Sequence, residues 1–596
     1  MALTKLSRLH FIGPGTILIV TLLLAPHGTA RMAAQVSRAT YIREANVDVA
    51  MRDGVRLRAD ILRPTQGPSP TLVYRTPYGK HAALEDYTIF VRAVERGYAV
   101  VVQDVRGRYA SDGEFRPYAN EGHDGYDTIE WASRQPWSNG RVGTFGLSYP
   151  GAVQWLAAAE SPPHLQAMVP AMTFSTPRNF FYSGGVWDLS WLEWIWVNIA
   201  PDARKRKGPP KFAEPSEGAS WPAVRDRWLR TLPLDRVQEL RDVAPYYYDW
   251  LHHPPGDSYW DFAELGNKYG RTQAAVLNLS GWHDDNYGPE GATTNYTGLL
   301  RSRGGDTSRA ALLLGPWTHG VDATSRTTFG ERDFGDTAAI DYDEVVLGWM
   351  DRHLRGEGAP GAAAPVRYFV MGENSWRESS TWPPAAHPGT YYFSGGEGGA
   401  QGRLTQTPPA STAPPSTFLS DPADPVINPY YGSAGAHDYR ALAERRDVLT
   451  FDSAPLPRDL EVTGSIRVRV NISCDCRDTD LWVRILDVAP DGSAFNLMSP
   501  GVEVVRASYR DLPGPRRLLV PDRVYALALD NLVTSNLFRR GHRIRAQVSA
   551  SFFPNFSRNL HTGDLETVSG RTKRATIRLH HDRDHASQIT LPVAVR

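Results

Sequence analysis

A serine lies where a predicted strand turns directly into a predicted helix. Residues 142–145 form an apolar run typical of a buried strand, and residues 152–159 favour a helix. Between them, residues 146–151 hold Ser148 among small residues. So sharp a turn strains its central residue and pushes that side chain out at the sheet edge. Glycines are expected there because the two backbones pass too close for a Cβ atom.

The spacing around this serine departs from the plain pattern G-x-S-x-G. Pro150 stands two positions after Ser148, and the second glycine falls one position later, at Gly151. Taken alone, the segment is equally well explained by a turn without a function, so the wider pattern of strands has to decide.

Short apolar runs alternate with helical patterns along the first half of the chain. Strands that alternate with helices predict a mostly parallel sheet, and continuous apolar runs predict burial on both sheet faces. Together with the serine turn, this favours an α/β-hydrolase core. The predicted strands are residues 47–51, 55–61, 71–74, 98–103, 142–145, 167–169, 275–279 and 311–314.

The alternation stops twice, and each stop predicts a further structural unit. Residues 173–267 are rich in tryptophan and favour helices, which indicates a helical cap inserted into a core formed by residues 41–172 and 268–355. After a Gly/Ala/Pro-rich linker at 356–365, residues 366–596 show short strands and turns typical of an antiparallel β-sandwich.

The amino terminus predicts export. Residues 1–34 combine basic residues, an apolar run at 16–25 and a small-residue stretch, as a secretory signal peptide does. The apolar run is about half the ~20 residues that span a bilayer, although an uncleaved anchor is the alternative. No other segment is long and apolar enough to cross a membrane. We expect a periplasmic or extracellular protein.

The charge balance and the cysteine content limit which partners and crosslinks we expect. The 65 basic residues equal the 65 acidic ones, so nothing indicates nucleic acid binding. Cys474 and Cys476 are the two cysteines, and we expect two half-buried free thiols because so short a bridge is strained. The histidine-rich stretch 580–585 is interpreted as a solvated loop rather than a metal site. No cofactor is predicted, and the oligomeric state, including a homo-oligomer, stays open.

A serine nucleophile needs a base and an acid that orients the base. In an α/β-hydrolase these follow the serine in the order Asp, His, each just after a later strand. Asp284 follows the predicted strand 275–279, and His319 follows 311–314. We therefore predict the triad Ser148, Asp284 and His319. His283 and Asp285 flank the acid and are the alternatives closest to it.

The tetrahedral intermediate needs two donors for its negatively charged oxygen. The backbone N–H after the nucleophile, here that of Tyr149, is the usual first donor. The second comes from the loop after strand 71–74, which lacks the glycine-rich donor motif but contains Tyr78. We predict that the Tyr78 hydroxyl serves instead. The alternative is a tyrosine that only shapes the turn.

With these residues in view, the chain resembles the CocE/NonD hydrolases, the group of cocaine esterase and X-prolyl dipeptidyl aminopeptidase. The resemblance covers nearly all of the chain after Tyr41. It implies Ser148, Asp284 and His319 as the triad, Tyr78 and Tyr149 as the oxyanion hole, and a C-terminal jelly roll that closes over the site. The matching segments are residues 74–78 (YRTPY), 103–107 (QDVRG), 146–151 (GLSYPG), 281–284 (GWHD), 315–319 (GPWTH), 366–372, 420–425 and 534–539.

The resemblance also bears on whether the site can bind a substrate with a free α-amino group. In the α-amino acid ester hydrolase branch, an acidic pair two and three residues after the aspartate binds an ammonium group. Here those positions are Asn286 and Tyr287. We favour an exported esterase acting on a small-molecule ester. An X-prolyl peptidase or β-lactam acylase acting on amides, and a non-catalytic binding protein, are the alternatives. The expected substrate pocket contains Trp187, Trp191, Trp194, His283 and Tyr287.

Overall fold

The computed structural model describes residues 41–595 except 178–179, 209–218, 358–363 and 396–400. The expected signal peptide, residues 1–34, lies outside the described residues. The expected linker at 356–365 is described only in part.

The chain opens with an antiparallel hairpin that turns at Gly54, as predicted, and then alternates strands and helices. The strands of this part are β1 (Tyr41–Ala50), β2 (Arg56–Pro64), β3 (Ser69–Thr76), β4 (Ala99–Asp104), β5 (Ser138–Leu147) and β6 (Leu165–Ala171). The helices are α1 (Lys80–Asp86), α2 (Ile89–Glu95), α3 (Glu121–Ser133) and α4 (Tyr149–Ala158).

A mostly helical segment separates β6 from the next strand of the sheet, where the sequence predicts the inserted cap. It contains two 2-residue strands, β7 (Tyr182–Ser183) and β8 (Val186–Trp187). Its helices are α5 (Ser190–Trp194), which continues as a π-helical turn to Ile199, α6 (Ala200–Lys207), α7 (Trp221–Arg230) and α8 (Tyr246–His252). Aromatic side chains of this segment share one apolar cluster with the core.

The chain then returns to the sheet. The elements are β9 (Ala275–His283), α9 (Gly288–Ser302), β10 (Ala310–Thr318), β11 (Thr328–Phe329), β12 (Arg332–Asp333), α10 (Tyr342–Met350), β13 (Val366–Val370) and β14 (Ser375–Ser379). The ten-stranded sheet has the order β1-β2-β4-β3-β5-β6-β9-β10-β13-β14 and is parallel from β4 to β13. This is the predicted α/β-hydrolase core.

Strands β13 and β14 extend the sheet of the core. The sequence assigns residues from 366 onward to the sandwich, but Val366 of β13 pairs in parallel with Leu312 of β10, and β14 pairs with β13. Short strands of this kind do not reveal which sheet they join, because either sheet can satisfy their backbone groups. The all-β part begins at Ala386.

The C-terminal part consists of twelve strands in one hydrogen-bonded sheet around its own apolar core. The strands are β15 (Ala386–Ser394), β16 (Gly402–Thr405), β17 (Ser416–Ser420), β18 (Leu449–Ser453), β19 (Leu460–Cys474), β20 (Asp480–Val488), β21 (Ala494–Asn496), β22 (Glu503–Arg506), β23 (Tyr525–Phe538), β24 (Arg543–Ser549), β25 (Ala575–His580) and β26 (Gln588–Ala594).

The expectation of two free thiols is wrong. Cys474 and Cys476 form a disulfide, and both are buried. The prediction assumed that the strand runs through both residues. Strand β19 instead ends at Cys474, and the bend that follows places the two Cα atoms 5.2 Å apart, a usual separation for a bridge.

Among the described residues, no helix has the length and apolar character needed to cross a membrane.

Candidate active site

Ser148 stands alone between β5 and α4, and its backbone is strained. Strand β5 ends at Leu147, and helix α4 begins at Tyr149. Ser148 has φ 69° and ψ −128°, a conformation that costs a non-glycine residue about 1–3 kcal/mol. The predicted strand–serine–helix turn is therefore present, and its side chain faces a cavity.

Two glycines permit this turn. A Cβ atom on Gly146, whose φ is 147°, would lie 2.5 Å from the Cβ atom of Pro150. A Cβ atom on Gly151 would lie 2.6 Å from the carbonyl oxygen of Ala171. Pro150 is tolerated because the first turn of a helix needs no backbone N–H partner. Gly151, which stands one position later than the glycine of the plain pattern, is thus the glycine that faces β6.

A buried glutamine, Gln154, stabilises the serine turn through hydrogen bonds. Gln154 of helix α4 donates its amide protons to the carbonyl oxygens of Gly146, Pro150 and Val169, at 2.9–3.2 Å. Its side-chain oxygen accepts the Val169 N–H at 3.1 Å. One side chain therefore joins β5, α4 and β6 around the serine. Reasoning from the sequence missed Gln154, because a glutamine in an apolar helix resembles a surface residue.

Asp284 and His319 directly follow adjacent parallel strands. Strand β9 ends at His283 and β10 ends at Thr318, and these two residues are register partners. The Nδ1 atom of His319 lies 2.9 Å from Oδ1 of the fully buried Asp284. That carboxylate also accepts backbone N–H groups from Asn286 and Tyr287. The partner of the imidazole is thus Asp284 rather than its neighbour Asp285.

Asp284 favours the protonated form of the His319 imidazole. Burial alone would lower the pKa of His319, but the charge of Asp284 and its hydrogen bond outweigh burial and raise the pKa above the usual value. Asp284 thus fixes the ring orientation and stabilises the imidazolium form, as the acid of a triad does.

Ser148 and His319 line one cavity of about 780 Å³. Tyr78, Trp191, Trp194 and Tyr287, all predicted from the sequence, line it too. The Ser148 hydroxyl interacts with the hydroxyls of Tyr78 and Tyr287. Further lining residues include Tyr118, Phe180, Asp188, Glu193, Asn198 and Val321. The cavity thus combines an aromatic wall with a few polar groups around the serine, as small-molecule sites do.

The two predicted oxyanion donors are the Tyr78 hydroxyl, which lines the cavity, and the Tyr149 backbone N–H, at the start of α4. Burial raises the pKa of Tyr78 to about 12, so its hydroxyl keeps its proton at neutral pH. That oxygen accepts a hydrogen bond from the indole nitrogen of Trp194 at 3.1 Å. Tyr149 is the first residue of α4, so its backbone N–H has no carbonyl partner within the helix. The Tyr149 side chain is engaged elsewhere, with its hydroxyl 2.8 Å from Glu121.

The structure does not bring Trp187 and His283 to this cavity, which corrects both predictions. Trp187 belongs to strand β8 and packs in the core against Tyr182 and Tyr247. His283 is the last residue of β9, and its buried ring lies 3.3 Å from the hydroxyl of Ser499. Neither is among the described residues that line the cavity.

Arg108 connects the Tyr78 loop with the cap, and the sequence analysis missed it. Its guanidinium donates to the carbonyl oxygen of Pro77 at 2.8 Å and to those of Ile199 and Asn198 at 2.9 and 3.1 Å. The side chain is 1% exposed, and Asp202 lies 3.3 Å away. The sequence shows only an arginine shortly after the predicted strand 98–103, and its partners are carbonyl groups that no motif records.

Comparison with protein families agrees with this geometry. Residues 53–321 match the X-Pro dipeptidyl-peptidase (S15 family). Residues 358–590 match the X-Pro dipeptidyl-peptidase C-terminal non-catalytic domain. Cocaine esterase from Rhodococcus sp. (strain MB1 Bresler) is 34% identical over 583 residues, which are 93% of this chain and 99% of that protein. The chain belongs to the CocE/NonD hydrolase family. It is a serine hydrolase with an α/β-hydrolase core and an all-β C-terminal domain.

Solved structures show the same fold. An α-amino acid ester hydrolase has a TM-score of 0.78 at 25% identity, with 95% of this chain and all 100% of that chain covered. An aminopeptidase from the marine sediment archaeon Thaumarchaeota archaeon has a TM-score of 0.81 at 23% identity, with 96% and 99% covered. The architecture is therefore common to proteins named for ester and for peptide substrates, and the fold alone does not select between them.

Proposed function

We propose that this CocE/NonD hydrolase is an exported esterase that cleaves acyl esters through an acyl-enzyme formed on Ser148. The observation that carries the proposal is the 2.9 Å hydrogen-bond contact between His319 and Asp284, with His319 on the same cavity as the strained serine. Each of the three groups directly follows a strand of one sheet.

In this proposal, His319 takes the Ser148 proton on Nε2 while the serine oxygen attacks the ester carbonyl carbon. The C=O π electrons move to the carbonyl oxygen, which accepts hydrogen bonds from the Tyr78 hydroxyl and the Tyr149 N–H. The tetrahedral intermediate then collapses, the C–O bond to the alcohol breaks, and His319 returns its proton to the departing alkoxide. Water attacks the acyl-enzyme by the same route and releases the acid.

The aromatic residues that line the cavity support a substrate with an apolar acyl or aryl group. Phe180 stacks on Tyr287 with ring centroids 4.7 Å apart, and Trp191 packs against Phe180 at 4.6 Å. Since these rings line the cavity of Ser148, they offer apolar surface next to the reacting carbon. The name of the 34% identical relative, cocaine esterase, favours esters over amides.

The test uses Ser148→Ala and p-nitrophenyl esters of increasing acyl length. We expect loss of turnover with every ester and loss of covalent labelling by a fluorophosphonate probe. The matched control is Ser325→Ala, an exposed serine whose hydroxyl bonds to the Asp322 carbonyl. The control should keep both activities. Equal turnover by Ser148→Ala and the wild type would refute the nucleophile.

An X-prolyl dipeptidyl peptidase activity on the same site is the second candidate. The carboxyl groups of Asp188 and Glu193 line the cavity and offer acceptors for the amino terminus of a peptide. The S15 family match supports the same alternative. Rates on Gly-Pro-p-nitroanilide and on p-nitrophenyl acetate separate the two. A faster anilide rate would favour the peptidase.

The proposal of export rests on residues 1–34 alone. Expression of the full chain in a bacterial host, followed by fractionation and mass spectrometry of the purified enzyme, tests it. We expect an exported enzyme whose amino terminus lies beyond the small-residue stretch at 28–34. An enzyme that stays in the cytoplasm and begins at Met1 would contradict export.

A further inference from the structure

The segment that connects β25 with β26 brings two histidines and an aspartate together. His580 is the last residue of β25, and Asp582 and His585 lie in the turn that follows. One potential ligand atom from each of the three lies within 4.8 Å of the other two. The sequence favours a solvated loop here, because it does not show that the turn brings His585 back beside His580.

The backbone of the turn builds this arrangement. Oδ1 of Asp582 accepts the N–H groups of Asp584 and His585, at 2.8 and 3.0 Å. These bonds close the turn and hold the carboxylate between the two rings. The side chain of Asp582 is 13% exposed and that of His585 is 41% exposed, so the cluster is sheltered on one side and open on the other. A cation from solution can reach it.

A hydrogen bond with a residue of β19 orients the first histidine. Nε2 of His580 lies 2.9 Å from the hydroxyl oxygen of Ser473 on β19. This bond occupies one ring nitrogen and leaves Nδ1 as the ligand atom. Metal-bound histidines usually bond their second nitrogen in this way, because it fixes the tautomer and the ring orientation.

From this geometry we propose that His580, Asp582 and His585 form a binding site for one Zn²⁺ ion. Two imidazoles and one carboxylate suit a borderline divalent metal better than Ca²⁺ or Mg²⁺, which prefer oxygen ligands. Three protein ligands leave a fourth tetrahedral position for water.

Binding needs a small adjustment of the side chains. Ligands about 2.0–2.2 Å from a tetrahedral zinc ion lie about 3.4 Å from one another. Nδ1 of His585 already lies 3.3 Å from Oδ1 of Asp582, and the three ligand atoms lie within 4.8 Å of one another. The half-exposed ring of His585 sits in a turn and can move inward without disturbing either strand. β25 and β26 pair with successive parts of β19, so the ion would fasten the loop that connects these two strands of the C-terminal sheet.

The experiment is isothermal titration of the full-length enzyme with ZnCl₂ after treatment with a chelator, with a tag that contains no histidines. We expect one ion per chain and a higher Tm in its presence, because an ion that binds the folded state stabilises it. His585→Ala should weaken Zn²⁺ binding more than about tenfold, in keeping with the strong effects of changes around metal sites. It should also abolish the Tm shift.

His585→Ala keeps the backbone N–H that closes the turn, and unchanged ester turnover will show that the variant is folded. The matched control is His387→Ala, an exposed histidine on β15 of the same sheet. This control should bind Zn²⁺ as the wild type does. Absence of one-to-one binding to the wild type, or equal binding by His585→Ala and the wild type, would overturn the site.

Discussion

The indole nitrogen of Trp194 donates a hydrogen bond to the hydroxyl oxygen of Tyr78 at 3.1 Å. Trp194 is the last residue of α5 in the cap, and Tyr78 belongs to the loop after β3 in the core. Because the tyrosine oxygen accepts this bond, its own proton is free to point toward a developing oxyanion. The cap therefore positions one of the two proposed oxyanion donors.

The first prediction removes this bond with Trp194→Phe. Losing a whole oxyanion donor lowers kcat by about 100- to 1,000-fold, so we expect loss of its orientation to lower kcat about tenfold. The KM should change less than kcat, because the bond matters most in the transition state. Steady-state kinetics with a p-nitrophenyl ester measures both constants.

Trp196→Phe is the matched control, since its indole nitrogen bonds to the Ala219 carbonyl and its ring does not line the described cavity. A double-mutant cycle with Tyr78→Phe isolates the coupling. In the Tyr78→Phe background, Trp194→Phe should have little further effect on kcat. Independent, multiplicative effects would show that Trp194 does not act through Tyr78.

The second prediction concerns pH. Only neutral His319 can accept the serine proton, and Asp284 raises the pKa of this imidazole. Activity must therefore be lost as the pH falls through the raised pKa of His319. The usual pKa of histidine is about 6.5, so we expect the midpoint of the acid limb of kcat/KM to lie above that value. A profile of kcat/KM against pH checks this. A flat profile from pH 5 to 8 would contradict a histidine base.

The third prediction separates the two adjacent aspartates. Asp284→Asn leaves the imidazole without its anionic partner and favours the wrong tautomer, so we expect kcat to fall by about 1,000- to 10,000-fold. Asp285→Asn should keep most of the activity, because His319 bonds to Asp284. The same ester assay compares them. A larger loss in Asp285→Asn would reassign the acid.

The fourth prediction concerns the glutamine behind the serine turn. Gln154→Leu fills similar space but leaves the carbonyl oxygens of Gly146, Pro150 and Val169 without this donor. Each buried group that stays unsatisfied costs about 1–3 kcal/mol, so we expect a clearly lower Tm and reduced turnover. Thermal unfolding followed by circular dichroism measures the former. A wild-type Tm would show that the turn holds without the glutamine.

The sequence predicts the core well because strand ends are local features. Ser148, Asp284 and His319 each come within five residues after a short apolar run, and the parallel sheet then places them at one edge. The aromatic pocket is harder to predict. The spacing of Trp187, Trp191 and Trp194 suggests one helix face, but α5 starts at Ser190 and Trp187 lies before it on β8. Helical spacing therefore does not apply to Trp187.

Other features depend on partners that are distant in the chain. His283 and Asp284 are neighbours in sequence, yet the end of β9 sends one side chain to the hydroxyl of Ser499 and the other to His319. The bonds of Arg108 go to carbonyl groups about 31 and 90 residues away. Contacts of this kind follow from the tertiary arrangement, which residue type and spacing do not specify.

The guanidinium of Arg108 joins the cap to the loop that carries Tyr78. It donates to the carbonyl groups of Asn198 and Ile199 on one side and to that of Pro77, the residue directly before Tyr78, on the other. The position of this proposed oxyanion donor is therefore coupled to the position of the cap through one buried side chain.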